Sequence, residues 1–279
     1  MKILVTGASG QLGFDVCREL TRRGIENLGL ASKDMDITDP AAVARVIKQY
    51  APDAVLHCAA YTKVDMAQSE PGLCWAVNAQ GTANIAAVCR ELDIKMLYIS
   101  TDYVFPGEGE GFYRPGDAAA PRNVYGMTKL AGELAVKALV NKFFIVRTSW
   151  VFGHNGGNFI KTMLRLSQTL ESVSVVCDQI GSPTYTADLA PLICDMILSE
   201  KYGVYHAANS GICSRAELAR ETFRLAGKST AVLPILCADY PAAAPRPLNS
   251  RLDTSCLRDS GFSSLPDWHD ALKRFINEL

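Results

Sequence analysis

No apolar stretch in this chain of 279 residues approaches the ~18 that a membrane-spanning helix needs, so no segment is expected in a bilayer. An excess of charge is missing too. With 28 Lys and Arg against 29 Asp and Glu, the formal net charge is -1 and the signs are mixed along the chain. Neither the basic stripe that nucleic acid requires nor a polybasic run for an acidic membrane is present. The nine cysteines form no Cys-x-x-Cys pair and no Cys/His ligand spacing, and their number is odd. Zinc sites and disulfide frameworks are therefore not indicated, and reduced thiols in a cytoplasmic protein are expected. Repeats and low-complexity blocks are lacking as well. The expectation is a soluble, unprocessed protein with a small-molecule partner, large enough at 30.2 kDa to bury a substantial core.

What is present is alternation. Ile3-Leu4-Val5-Thr6 reads as a buried strand, residues 7–13 as a turn, and residues 12–23 as a helix closing at Gly24. Strands over 28–31 and 54–58 follow, separated by a helix over 40–50 with Asp39 at its cap. A single helix over 71–92, with proline in its first turn, leads to strands over 95–100 and 143–147 around a helix that carries Tyr125. Apolar strands alternating with helices in this way predict an α/β fold, a doubly wound parallel sheet of Rossmann-like kind.

Beyond Trp150 the pattern loosens, and the reading is a helix over 158–170, a strand near 173–177, a break at Gly181-Ser182-Pro183, and a helix over 186–199 leading into 203–206. Ser214-Arg215-Ala216-Glu217 has the form of a capping box ahead of a helix that ends near Gly227. Residues 241–247 are too rich in proline for helix or central strand. The expected division is a dinucleotide-binding domain over 1–150 plus about 184–209, and a smaller α/β substrate-binding domain over about 151–183 and 210–279.

Three motifs carry chemistry. Gly7-Ala-Ser9-Gly10-Gln11-Leu12-Gly13 lies between the first strand and the first helix, where glycines let a pyrophosphate approach the helix amino terminus. Its spacing departs from G-x-G-x-x-G, and the alternative is a turn with no ligand. Asp36 is placed to accept a hydrogen bond from an adenine amino group, the alternative being that Asp36 and Asp39 only cap the next helix. Ser100-Thr101-Asp102-Tyr103-Val104-Phe105 follows the fourth strand, at the carboxyl edge where such sheets bind ligands. Tyr125-Gly-Met-Thr-Lys129 sets a phenol and an ammonium one helical turn apart. A phenol with an ordinary pKa of roughly 10 is expected to fall beside a fixed cation, making Tyr125 a general acid and leaving Thr101 as a second donor to a carbonyl oxygen.

In this order and separation the three motifs resemble the short-chain dehydrogenase/reductase superfamily, in the extended branch that acts on nucleotide-sugars. Residues 59–65 (Ala-Ala-Tyr-Thr-Lys-Val-Asp), Asn123-Val124-Tyr125-Gly126, Arg147-Thr148-Ser149-Trp150-Val151, Asp178-Gln179-x-Gly181-x-Pro183-Thr184 and Arg246-Pro247-x-Asn249-Ser250-Arg251-Leu252 extend the likeness to nearly the whole chain. Within that branch they resemble the dTDP-4-dehydrorhamnose reductase family.

The resemblance implies that Tyr125 donates the proton, that Lys129 lowers its pKa and holds the nicotinamide ribose, and that Thr101 positions the C4 carbonyl of the sugar. It places the cofactor against Gly7, Ser9, Gly10, Gln11, Leu12, Gly13, Asp36, Ile37, Ala59, Ala60 and Tyr61, and the sugar against Val64, Asp102, Tyr103 and Trp150. Packing alone is the alternative for Val64, Tyr103 and Trp150. Related 4,6-dehydratases carry Thr-Asp-Glu where this chain has Thr101-Asp102-Tyr103, which favours plain carbonyl reduction. Another 4-keto-6-deoxy nucleotide-sugar as substrate, and a non-catalytic regulatory subunit of the same fold, are the rival expectations.

NADPH is the expected cofactor, with NADH as the alternative, because Ser32 and Lys33 suit a 2′-phosphate while Asp34 suits a free ribose hydroxyl. Some relatives are magnesium-dependent dimers. Asp15 and Glu278 fall near two of the expected carboxylate positions, but the third is Ala187, so Mg2+ is not predicted and a homodimer is left open.

Overall fold

The computed structural model describes residues 1–279, and its centre is a six-stranded sheet, every pairing of which is parallel. Its strands are β1 (Lys2–Thr6), β2 (Glu26–Leu30), β3 (Ala54–His57), β4 (Lys95–Thr101), β5 (Phe143–Thr148) and β10 (Gly203–His206), in the order β10-β5-β4-β3-β1-β2. Successive residues of these strands point to opposite faces. Ile3, Val5, Leu56, Leu97 and Phe144 enter one core with α1 (Gln11–Arg22) and α8 (Thr186–Leu198). Leu4, Val55, Met96 and Ile145 enter a second core with α2 (Pro40–Tyr50), α5 (Thr82–Glu91) and α6 (Val124–Leu139). Both faces are covered, which is why the strands read as unbroken apolar runs in a doubly wound sheet. None of the helices is long and apolar enough to cross a membrane.

Two expected helices differ in detail. The one expected over 71–92 follows α3 (Val64–Ser69) and is divided into α4 (Pro71–Trp75), a π-helical segment over Ala76–Gly81, and α5. The widened turn carries Asn78, whose buried side chain bonds outside the helix, the usual circumstance of such bulges. The helix expected over 158–170 is α7 (Phe159–Leu166), which starts at an Asn158 cap and ends earlier.

The chain after β5 builds a smaller α/β assembly from short pieces. These are β6 (Val151–Phe152), β7 (Ser172–Val176), β8 (Ile180–Gly181), β9 (Thr184–Tyr185), β11 (Asn209–Ser210), β12 (Cys213–Ser214), α9 (Arg215–Leu225), β13 (Ala231–Ile235), β14 (Asn249–Ser250), α10 (Ser255–Asp259), β15 (Leu265–Asp267) and α11 (Trp268–Glu278). Between them, α8 packs on α1 and β10 extends the main sheet beside β5. The capping box of α9 is complete, with Ser214 accepting from Glu217 N and Glu217 accepting from Ser214 N. Strand order reverses at β1, between β2 on one side and β3 on the other, and ligand crevices of such sheets open at that point.

Candidate functional site

Glycines shape the turn after β1. Gly7 has φ +70°, and a Cβ there would lie 2.7 Å from the amide nitrogen of Ala59, so the turn can lie against the end of β3 only without a side chain. A Cβ on Gly13 would lie 2.3 Å from the Gly7 carbonyl oxygen, so the third glycine admits the turn onto the helix. Gly10 caps α1 with no side-chain hydrogen bond, which leaves the amides of the first helical turn open toward a cleft of 760 Å³. An open helix amino terminus beside Gly7, Ser9, Gln11 and Leu12 suits a pyrophosphate, so the residues present fit a dinucleotide. Gly13 itself does not face the cleft.

Farther along, Asp36 and Ile37 line the same cleft, and Asp39 caps α2 by accepting from Ala41 N at 2.9 Å. Capping thus belongs to Asp39. Asp36 accepts from both Thr38 N and Thr38 Oγ1 through one oxygen, which holds its carboxyl below the usual range and leaves the other oxygen without a partner in the chain. Ser32 lines the cleft, while Asp34 is tied back to Ala31 N at 2.9 Å. Ala59 and Ala60 also line it, but Tyr61 does not. Its amide and carbonyl are both held by Asn78, at 2.8 and 3.1 Å, and its hydroxyl reaches Glu70, so Thr62 faces the cleft in its place.

Thr101, Tyr125 and Lys129 meet on this cleft beyond the end of β4. Asn123 caps α6 by accepting from Gly126 N, and Gly126 lets that turn press on the Tyr103 carbonyl, where a Cβ would come within 2.2 Å. Lys129, 3% exposed, sits with its ammonium 4.1 Å above the Tyr98 ring. Burial pushes it down to about 7, against the pull of Glu133. The phenol behaves otherwise than the helical spacing predicts. Burial and then the Asp102 charge push Tyr125 well above the ordinary phenol range, and the Thr101 hydroxyl opposes the rise. Proximity along a helix does not outweigh desolvation here.

Val64, Asp102, Tyr103 and Trp150 line the other end of the cleft. The Tyr103 and Tyr125 rings meet edge to face at 5.5 Å. Trp150 has φ +49°, a conformation that non-glycine residues seldom adopt, and it packs against Gly181, where a Cβ would lie 2.9 Å from the indole. Asp102 is 3% exposed, with one oxygen accepting from Thr101 and the other from Ser250. Asp15 and Glu278 are separately engaged, Asp15 by Thr186 and Glu278 by Tyr185 and His154.

Sequence reasoning missed Asn78, Ser250 and Arg215. Asn78 had no signal beyond an unremarked polar residue in a helix. Ser250 lay inside a motif used only for the family likeness. Arg215 was read as the second residue of a capping box, yet its guanidinium lies 3.7 Å over the Trp150 ring and lines the cleft.

Residues 1–279 match the family described as RmlD substrate binding domain. The dTDP-4-dehydrorhamnose reductase of Streptomyces griseus is 44% identical over 276 residues, covering 96% of this chain and 91% of that protein. The spore coat polysaccharide biosynthesis protein SpsK of Bacillus subtilis (strain 168) is 39% identical over 277 residues, covering 99% of this chain and 97% of that protein. Among solved structures, the dTDP-4-dehydrorhamnose reductase of Bacillus anthracis str. Ames in complex with NADP superposes with a TM-score of 0.97 at 44% identity, covering 100% of this chain and 99% of that one.

Proposed function

The chain belongs to the RmlD substrate binding domain family, and from that membership and its cleft we propose that it is an NADPH-dependent dTDP-4-dehydrorhamnose reductase. It reduces the C4 ketone of dTDP-4-dehydro-L-rhamnose to give dTDP-L-rhamnose for cell-surface polysaccharide. The observation that carries this reading is the meeting of Thr101, Tyr125 and Lys129 on the same cleft as the open amino terminus of α1. When bound, NADPH supplies the hydride.

The chain's own residues supply position and a proton. Gly7, Ser9, Gly10, Gln11 and Leu12 hold the pyrophosphate, Gly13 permits their turn, and Asp36, Ile37, Ala59 and Ala60 flank the rest of the cofactor. Tyr61 acts only through its backbone, by fixing the loop that carries Ala59 and Ala60. Lys129 holds the nicotinamide ribose, which gives a buried ammonium the polar partners it otherwise lacks. Tyr125, kept protonated by burial, offers its proton to the C4 oxygen. Thr101, on the same cleft, positions the C4 carbonyl, and Val64, Asp102, Tyr103 and Trp150 surround the sugar. Water elimination would need a free acid and base, whereas Asp102 is bonded on both oxygens and Tyr103 has no carboxyl to offer. That favours plain reduction.

In this reading the dinucleotide-binding domain comprises residues 1–150 with about 184–209, and the remainder covers the sugar. The reaction takes place in the cytoplasm, on a soluble nucleotide-sugar, and no residue is assigned to a metal ion. The test is loss of reduced-nicotinamide absorbance with dTDP-4-dehydro-L-rhamnose made in situ from dTDP-glucose by a dehydratase and an epimerase. Sugar-dependent oxidation of NADPH is expected. A folded, cofactor-binding protein that oxidises none would overturn the reading in favour of another keto-sugar or a regulatory subunit.

A further inference from the structure

Arg215 is the first residue of α9, and its guanidinium is spent on no other group of the protein. None of the chain's ion pairs or side-chain hydrogen bonds includes it. It lies 3.7 Å over the Trp150 ring and 5.3 Å from the Phe159 ring, and it faces the cleft. The amide ends of its helix are already satisfied by the Ser214–Glu217 box, so the cation is not there to complete a cap. The carboxylate in its field is Asp102, whose two oxygens are taken by Thr101 and Ser250. The second arginine in that field, Arg246, is paired with Asp65.

A half-buried cation held against two aromatic faces, with no anion of its own in the protein, is left with part of its charge uncompensated unless something else brings a negative charge. Burial holds Arg215 below the ordinary guanidinium range without neutralising it, since arginine remains charged. Its place in the cleft decides which anion. Arg215 shares the end formed by Asp102, Tyr103 and Trp150, away from Asp36, Ile37 and Ser32. We propose that Arg215 is the anion-binding residue for the diphosphate of the nucleotide-sugar, with Trp150 as the plate that fixes the guanidinium plane. A planar fork of N–H donors held by stacking can take two phosphate oxygens with little further ordering. This assignment rests on the reading that the substrate is a nucleotide-sugar.

The experiment is calorimetric titration of wild type, Arg215→Met and Arg215→Lys with thymidine 5′-diphosphate, thymidine and NADPH, alongside turnover of the keto-sugar by wild type. Methionine keeps the apolar cover over Trp150 and removes the charge; lysine keeps the charge and loses the fork. Expected is a diphosphate Kd raised roughly 10- to 100-fold in Arg215→Met, the range of a charge-assisted hydrogen bond, and raised less in Arg215→Lys. Thymidine and NADPH should stay within about twofold of wild type, on the ordinary scale of a change that leaves the site packed. The assignment falls if Arg215→Met binds the diphosphate like wild type. It also falls if thymidine weakens as much as the diphosphate, which would mark a packing role, or if NADPH does, which would put the guanidinium on the cofactor. Wild type that turns over the sugar while Arg215→Met binds normally sinks this inference alone; wild type that neither binds the diphosphate nor turns over the sugar sinks the proposed function with it.

Discussion

The Thr101 hydroxyl donates to Asp102 Oδ1 at 2.9 Å, and in the same geometry it accepts from Tyr103 N at 3.3 Å. Its one proton is therefore committed to a buried carboxylate, and Thr101 as found is an acceptor toward the cleft. For Thr101 to donate to a carbonyl oxygen, either its hydroxyl must rotate or Asp102 must take a proton. The side chain that sets this balance is Asp102.

Asp102 should make stability depend on pH in a distinctive direction. Burial raises its pKa, with the donors Ser250 and Thr101 opposing. The native state then holds the Asp102 proton more tightly than the unfolded chain, so this residue's contribution to stability falls as pH rises from the ordinary aspartate value of 3.8 through the raised one. Asp102→Asn removes that titration. Melting temperatures of variant minus wild type should grow more favourable to the variant between acid and neutral pH. A difference that stays flat with pH would show that Asp102 is not held against its charge.

Tyr125→Phe should keep the fold and NADPH binding and lose turnover by roughly 10² or more, the scale of general acid catalysis. Because burial is the chief cause of the raised phenol, its titration should remain above the neutral range in Lys129→Met as well. Ultraviolet difference titration of tyrosinate reads this once the Tyr125→Phe curve is subtracted to remove the other tyrosines. A phenol in wild type that ionises near neutral pH, and one in Lys129→Met that does not, would restore the helical-pair account.

Lys129 is a stability liability in the protein without cofactor. Its pKa is pushed down to about 7 from 10.5, chiefly by burial. The penalty of the charged form is present in full below about 7 and is relieved as pH rises toward 10.5, because over that window the unfolded chain binds more protons than the native one. At roughly 1.4 kcal/mol per pKa unit, Lys129→Met should melt roughly 5 °C or more above wild type at pH 6, on the usual conversion for a chain of this size. The advantage should shrink by pH 9, while activity is lost. Equal melting at both pH values would mean that the ammonium over Tyr98 is already well satisfied.

Asn78 ties the loop around Tyr61 to α6. Its amide reaches the Tyr61 carbonyl and Thr128 Oγ1, and its carbonyl takes Tyr61 N. Asn78→Leu leaves a backbone N–H without a partner, which costs about 1–3 kcal/mol, and releases the loop that presents Ala59 and Ala60. Lower urea midpoints together with a higher Kd for NADPH are expected. A destabilised variant with unchanged NADPH affinity would confine Asn78 to a structural role.

What the sequence made legible was whatever local pattern determines. Val5, Leu56 and Phe144 on one face and Leu4, Val55 and Ile145 on the other leave an apolar run that only a doubly covered sheet explains. Gly7 and Gly13 declare a tight turn by type and place. The features it concealed depend on partners far along the chain. Nothing in the sequence of residues 76–81 marks a π segment, which accompanies bonds from Asn78 to Tyr61 and Thr128. Tyr61 turns from the cleft because of that same side chain. Arg215 reads as a helix start, and only the approach of α9 to Trp150 makes it a cleft residue. Spacing put Tyr125 beside Lys129 but carries no information about solvation, which decides both pKa values.

Cofactor choice follows from which of three adjacent side chains is free. Asp34 Oδ2 accepts from Ala31 N in closing the turn after β2, and Asp34 does not line the cleft, so it is not placed to meet a ribose hydroxyl there. Ser32 faces the cleft, and Lys33 beside it is exposed and unpaired, so a 2′-phosphate would meet a hydroxyl with a cation adjacent in the chain. Preference for NADPH over NADH is expected on these grounds. Ser32→Asp would set a second negative charge against the phosphate, and like charges a few ångströms apart in a partly dry cleft repel by about 1–4 kcal/mol. The ratio of kcat/KM for NADPH over NADH should fall at least tenfold, through KM for NADPH and with kcat little changed, since position 32 is remote from Tyr125. If instead both cofactors weaken equally, Ser32 lies against a part that NADPH and NADH share, and selectivity must come from Lys33 alone.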